Sequence, residues 1–162
     1  MFSKAIVRKP GKSIVNGLTT SNLGAPLYKK ALEQHQSYIG ALKECGLDVT
    51  ILPADEDYPD STFVEDTALL TPHCAIITNP GAPSRKGETA KIKTVVGKFY
   101  SSIEEILDPG TVDGGDIMMV GNHFYIGLSN RTNSSGAEQI IRILNKYGLS
   151  GSVIKLKKAL HL

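Results

Sequence analysis

The sequence predicts an α/β fold of the α+β kind, built from repeated modules in which a β-hairpin, a helix and a further strand follow one another. Three segments with helical periodicity alternate with short apolar β-type runs. Several residues also recur at an offset of 50 positions. The recurring pairs include Asp66 and Asp116, His73 and His123, and Glu88 and Glu138. A repeat of this length indicates modules that bury their apolar faces by stacking, and the chain holds about three of them.

The three helices are predicted from their apolar stripes and their end signals. The first runs from Tyr28 to about Leu42 and stops before Gly46. The second places the apolar residues of Ile92–Phe99 on one face. The third opens with a Ser-x-x-Glu capping box at Ser135 and ends before Gly148.

Seven short apolar runs separated by turn residues predict the strands. These strands are Ala5–Val7, Val49–Leu52, Ala68–Leu70, Ala75–Thr78, Ile117–Val120, Phe124–Gly127 and Val153–Leu156.

Length and composition restrict the class of protein. The 162 residues are predicted to form a single domain over 1–162. A net charge of +2 without a basic block argues against nucleic acid as a partner. No apolar run approaches the roughly 20 residues of a membrane span, and no signal peptide is visible, so the expected location is cytoplasmic. The two cysteines are expected to be reduced thiols.

Three carboxylates cluster where the chain enters the third predicted strand. Asp60, Glu65 and Asp66 can pair with a guanidinium, which offers five N–H donors in a rigid fork. The alternative is a solvated acidic loop. Glu65 and Asp66 stand inside an apolar run, and buried carboxylates need partners, which favours the binding interpretation.

Two further groups of residues suggest a site. Asp113 and Asp116 flank two glycines, which allow a ligand to come close to the backbone, although the same pattern fits a plain turn. Arg85 and Arg131 each follow an apolar strand and precede a helix, so both are predicted at the same rim. Arginine binds carboxylates through two parallel hydrogen bonds, although surface arginines are commoner.

One histidine is a candidate for proton transfer, and no cysteine is a candidate nucleophile. His161, between two leucines, can titrate near neutrality, or it can be a core residue. Cys45 follows a helix C-terminus and Cys74 opens an apolar strand. Both environments raise the pKa of a thiol. No histidine shows metal-ligand spacing.

These residues stand in stretches that resemble the N-terminal portion of the dimethylarginine dimethylaminohydrolase family, in the guanidine-modifying pentein superfamily. The stretches are Leu52–Glu56, Pro59–Asp66, Asn79–Arg85, Val112–Asp116, Gly127–Asn133 and Leu160–Leu162. The resemblance implies a pentein-type α/β propeller of five ββαβ modules around a central site, of which about three are present.

The resemblance also implies roles for the ligand-binding residues. Asp60, Glu65 and Asp66 are expected to hold the guanidinium of a methylated arginine. Arg85 and Arg131 are expected to hold its α-carboxylate.

Further implied roles concern the lid and the chemistry. Leu18 is expected in a lid over the ligand, and His161 is expected to be the general acid/base, oriented by Asp113. Asp113 stands where some relatives have Glu, which shortens the reach to the imidazole. A cysteine thiolate attacks the guanidinium carbon, dimethylamine leaves, and water releases citrulline. No metal or organic cofactor is implied.

The nucleophilic cysteine of the family lies beyond Leu162, so the chain is expected to be an inactive fragment of a longer hydrolase. Two alternatives stay open: another guanidine-modifying enzyme (an arginine deiminase or an amidinotransferase), or a non-catalytic fragment that binds a cationic amino acid. The expected partner is a small molecule, with no nucleic acid and no membrane. A homodimer is also expected, covering the open faces at Ala5–Val7 and Val153–Leu162.

Overall fold

The computed structural model describes residues 2–155 and divides into two compact units, Met1–Val64 and Glu65–Leu162. The prediction of one domain over 1–162 stays a prediction.

The first unit is a strand–helix–strand motif. Its elements are β1 (Lys4–Arg8), α1 (Tyr28–Glu44) and β2 (Asp48–Leu52). The two strands pair in parallel, from Lys4 opposite Asp48 to Arg8 opposite Leu52. The helix ends where predicted, because Gly46 takes a positive φ of 81° that an L side chain rarely adopts.

The second unit contains two ββαβ modules. The first consists of β3 (Ala68–Leu70), β4 (Ala75–Ile77), α2 (Glu88–Val96) and β5 (Ile103–Glu105). The second consists of β6 (Ile117–Val120), β7 (His123–Leu128), α3 (Ser134–Lys146) and β8 (Ser150–Lys155). In each module the first two strands form an antiparallel hairpin and the last strand returns in parallel beside the second. The mixed α/β class and the repeated ββαβ order are therefore confirmed.

The apolar core of the second unit lies between the sheets and the helices. Its fully buried members are drawn from both modules. They include Cys74, Ile76, Val112, Phe124, Ile126, Ala137, Ile140 and Leu144. Because β4 and β7 carry much of this core, the loops that follow these two strands start from fixed positions.

Two details differ from the sequence prediction. Strand β5 was not predicted, because two of its three residues are acidic. The helix α3 begins at Ser134 with Asn133 as its N-cap, rather than with a capping box at Ser135. The Asn133 side chain accepts hydrogen bonds from the main-chain N–H groups of Gly136 (2.8 Å) and Thr111 (3.1 Å), which fixes the start of the helix.

Among residues 2–155, no helix combines the length and the apolar character that crossing a membrane requires.

Candidate functional site

A buried group of charges links Asp66, Arg85 and Glu88. Asp66 lies in a 3₁₀ turn before β3, Arg85 ends a 3₁₀ turn after β4, and Glu88 is the first residue of α2. The Arg85 Nη1 atom donates to Asp66 Oδ2 at 2.5 Å. On its other side, Nε and Nη2 donate to the two Glu88 carboxylate oxygens at 3.0 and 2.8 Å. All three side chains are buried, with Arg85 only 5% exposed.

This group keeps Arg85 charged. Burial by itself lowers the pKa of Arg85, but the hydrogen bonds and charges of Glu88 and Asp66 outweigh it and raise that pKa above its ordinary value. Asp66 is held from a second side, since its Oδ1 atom accepts a hydrogen bond from Gly115 N–H at 2.9 Å. The cation and both carboxylates therefore stand in fixed orientations.

Asp113 is a further buried carboxylate of this region. Its Oδ1 atom accepts a hydrogen bond from Gly81 N–H at 2.9 Å, and its own N–H donates to Thr132 Oγ1 at 3.1 Å. Burial raises its pKa above the ordinary value, and the charge of Asp66 adds to the rise. The hydrogen bond from Gly81 and the positive charges of Arg85 and Arg131 lower the pKa of Asp113, but they do not outweigh the effect of burial.

A hydroxyl connects Asp116 to the loop that carries Arg131. Ser129 Oγ donates to Asp116 Oδ2 at 2.6 Å and accepts from the main-chain N–H groups of Arg131 (2.9 Å) and Thr132 (3.1 Å). Asp116 is fully buried. Since Thr132 in turn binds Asp113, this small network positions both the Arg131 loop and the Asp113 main chain.

The predicted residues of the second unit differ in exposure. Asp66, Arg85 and Asp113 are buried, and the charges of Asp66 and Arg85 both act on the pKa of Asp113. In contrast, the Glu65 side chain is exposed and Arg131 is half-buried. The resemblance assigns Asp66 and Arg85 to opposite ends of a ligand, and the structure pairs them directly.

His161 lies outside the described residues, so its pairing with Asp113 stays a prediction.

In the first unit, Asp60 and Leu18 are in contact. The Leu18 N–H donates to both Asp60 carboxylate oxygens, at 2.9 and 3.2 Å, while the Leu18 side chain is 50% exposed. Asp60 itself is buried. Five residues upstream, the N–H groups of Lys12 and Ser13 donate to Glu56 at 2.8 Å each and lower the pKa of its carboxyl. Two carboxylates therefore fasten the backbone of the predicted lid segment.

The two cysteines of the described part differ in their surroundings. Cys74 is fully buried, and burial raises the pKa of its thiol. Cys45 is exposed directly after α1. Within residues 2–155, no group of three or more His, Cys, Asp or Glu side chains is arranged to hold a metal ion.

Sequence reasoning did not identify three residues that hold the site. Glu88 stood out only as a marker of the repeat, although its position three residues after Arg85, at a helix start, was a usable signal. Ser129 and Thr132 carry no such signal, because short hydroxyl residues in a loop have many roles.

The described residues of the second unit bury more carboxylates than guanidinium groups. The buried carboxylates are those of Asp66, Glu88, Asp113 and Asp116, while Arg85 is buried and Arg131 is half-buried. Hydrogen bonds from main-chain N–H groups and from Ser129 stabilise three of these carboxylates, those of Asp66, Asp113 and Asp116. A buried acidic group of this kind favours a cationic group placed beside it.

Comparison with known proteins agrees with this chemistry. The family model for N,N-dimethylarginine dimethylhydrolase, eukaryotic, matches residues 22–158. The N(G),N(G)-dimethylarginine dimethylaminohydrolase of Pseudomonas aeruginosa is 60% identical over 163 residues, covering 100% of this chain and 64% of the relative. The chain thus spans less than two thirds of the length of that relative.

Solved structures show the same fold. A cysteine-to-serine mutant of the Pseudomonas aeruginosa enzyme, complexed with citrulline, superposes with a TM-score of 0.98 at 59% identity, over 100% of this chain and 64% of that one. The N-terminal domain of ArgZ, a cyanobacterial arginine dihydrolase, reaches a TM-score of 0.83 at 16% identity, over 94% of this chain and 58% of that one, and shows the fold alone. By the extent of the family match, the chain belongs to the N,N-dimethylarginine dimethylhydrolase family.

Proposed function

We propose that this chain supplies part of an enzyme that hydrolyses asymmetric dimethylarginine to citrulline and dimethylamine. The observation that carries the proposal is the buried excess of carboxylates around Arg85 in a chain of this family. A dimethylarginine side chain carries a positive charge, which neighbouring carboxylates favour. The citrulline complex of the Pseudomonas aeruginosa enzyme supports the same ligand class.

The roles of the residues follow the family resemblance. It assigns Asp60, Glu65 and Asp66 to the guanidinium, and Arg85 and Arg131 to the α-carboxylate. The direct bond between Asp66 and Arg85 supports a modified version of this assignment, in which the two side chains act as one rigid element. Leu18 and Asp60, whose contact orders the lid segment, belong to the same proposal.

The chemistry is proposed for a longer protein that contains this sequence, because the chain spans 64% of its Pseudomonas relative. A cysteine thiolate outside this chain attacks the guanidinium carbon, and His161, oriented by Asp113, protonates the leaving dimethylamine. Water then releases citrulline. The cytoplasmic location stays a prediction.

The test measures citrulline and dimethylamine released from asymmetric dimethylarginine by the full-length protein. His161→Ala is expected to reduce turnover by about 10²–10⁴-fold, the usual worth of general acid–base catalysis. His73→Ala, which changes an exposed histidine, is the matched control and is expected to retain turnover. Release of ammonia from arginine, without turnover of the methylated substrate, would replace this proposal with a deiminase.

The 162-residue chain alone is proposed to be inactive, because the resemblance implies a nucleophilic cysteine outside this chain and burial raises the pKa of the Cys74 thiol. The same assay on the isolated chain is expected to give no product. Turnover that disappears on substitution of either cysteine would contradict this statement.

A further inference from the structure

Glu88 is a buried acid that no role assigned above requires. It begins α2, where the helix dipole favours a negative charge. Both of its carboxylate oxygens accept hydrogen bonds from Arg85. Its side chain is only 4% exposed, so this ion pair is buried, and removing one partner of such a pair is costly.

The geometry of this contact fixes the guanidinium completely. Two parallel hydrogen bonds, from Nε and Nη2, define both the plane of the group and its rotation within that plane. The Nη1 atom is thereby aimed at Asp66. A single bond to Asp66 alone leaves the guanidinium free to turn about that bond.

The module repeat shows that the scaffold itself does not need this acid. Glu138 stands at the same offset in the second module, where its side chain is exposed. The residue three positions before it is Ser135, so this module has no arginine in the place of Arg85. The contact between Glu88 and Arg85 is therefore particular to the module that carries the candidate site.

We propose that Glu88 is a positioning residue, which holds the guanidinium of Arg85 in the orientation from which it binds the carboxylate of the amino-acid ligand. This inference rests on the proposed function, because it takes Arg85 as a ligand-binding residue. Asp66 keeps its separate hydrogen bond from Gly115 N–H when Glu88 is changed. The specific consequence is therefore that Glu88 matters more for ligands with an α-carboxylate than for ligands without one.

The experiment compares two ligands by calorimetry on the full-length protein: citrulline, and N-carbamoylputrescine, which lacks only the carboxylate. Glu88→Gln keeps the size of the side chain and removes its charge. It is expected to weaken citrulline binding by about ten- to hundredfold, as for loss of a charge-assisted hydrogen bond. Binding of N-carbamoylputrescine is expected to change less than about twofold. Glu138→Gln, the matched control, is expected to change neither affinity.

A second variant covers the case in which Glu88→Gln does not fold. Glu88→Asp keeps the charge, and it is expected to show the same preferential loss of citrulline binding to a smaller degree. Thermal unfolding establishes that each variant is folded. Equal loss for the two ligands, unchanged citrulline binding, or failure of both variants to fold would overturn the inference, since each indicates a purely structural role or none. A wild-type protein that binds neither ligand would overturn the proposed function itself.

Discussion

Gly81 lies directly against the main chain of Arg131: a Cβ atom on Gly81 would stand 2.3 Å from the Arg131 carbonyl oxygen and 2.5 Å from its Cα. The two residues are 50 positions apart, so corresponding points of the two modules meet. A similar approach joins Gly114 to the Glu65 carbonyl oxygen, at 2.1 Å for the added Cβ. The loops that carry Arg85 and Arg131 are thus set against each other through backbone.

Gly81→Ala is expected to destabilise the protein by about 1–3 kcal/mol, because the added methyl group must push the Arg131 main chain away. The same shift is expected to weaken citrulline binding. Urea unfolding and calorimetry measure the two effects. Gly40→Ala is the control: its added Cβ meets no atom within 4 Å, and in the middle of α1 it is expected to stabilise by about 0.5–1 kcal/mol. Unchanged stability of Gly81→Ala would contradict the close approach.

Arg85→Lys is expected to weaken both ligand binding and stability although the charge is kept. The ammonium cannot reproduce the two parallel bonds to Glu88 together with the bond to Asp66, so a buried carboxylate loses a partner at a cost of about 1–3 kcal/mol. Calorimetry with citrulline and urea unfolding measure the loss. Arg142→Lys changes an exposed arginine on α3 and is expected to be neutral. If Arg85→Lys had the same citrulline affinity and stability as Arg142→Lys, the buried ion pairs would contribute to neither property.

Asp113→Asn is expected to change how stability depends on pH. Burial raises the pKa of Asp113 in the folded state, so between the unfolded and folded pKa values the folded protein binds more protons. Stability of the wild type therefore falls as pH rises through that window, and the variant lacks this contribution. The amide oxygen of the introduced asparagine can still accept the hydrogen bond from Gly81.

The measurement is the free energy of unfolding in urea at several pH values from about 3.5 to 7. As pH rises, the free energy of unfolding of Asp113→Asn is expected to increase relative to that of the wild type. Asp48→Asn makes the same chemical change at an exposed aspartate and serves as the control. A difference that moves in favour of the wild type over this range would show that the buried carboxylate is stabilised as an anion.

The isolated chain is expected to self-associate. Strand β8 forms an edge of its sheet and leaves Val153 41% exposed, and the opposite edge strand exposes Met118, Met119 and Val120. At the other predicted open face, Val7 is buried and Ala5 and Ile6 are half-buried. Sedimentation at tens of micromolar is expected to show dimers or larger species, weakened by Val153→Asp. A stable monomer would exclude this association.

The regular elements could be predicted because their signals are local. The apolar stripe and Gly46 located α1 almost to the residue. Strand β5 was not predicted because Glu104 and Glu105 interrupt the apolar pattern that indicates a strand. In the structure Glu104 binds Lys146 and Tyr147, which come from a distant helix end. Only the 50-residue offset from β8 pointed to that strand.

The site could be predicted as a set of residues but not as a set of contacts. Sequence patterns selected Asp66, Arg85 and Asp113, yet nothing in them shows that Asp66 and Arg85 bind each other across 19 positions. Glu88 and Ser129 were missed for the same reason: their importance comes from the partners that the fold brings to them. Residue types indicate the chemistry, while pairing depends on tertiary structure.

Among residues 2–155, each sheet pairs only strands of its own module, and the separations along the chain are short. The parallel pairing of Lys4 with Asp48 spans 44 positions, and that of His123 with Ser150 spans 27. Closing such loops costs little entropy, so strand pairing in one module does not wait for pairing in another. The apolar core of the second unit, in contrast, combines residues of both its modules. Backbone pairing is therefore local to a module, whereas burial of the apolar faces requires that both modules of this unit are present.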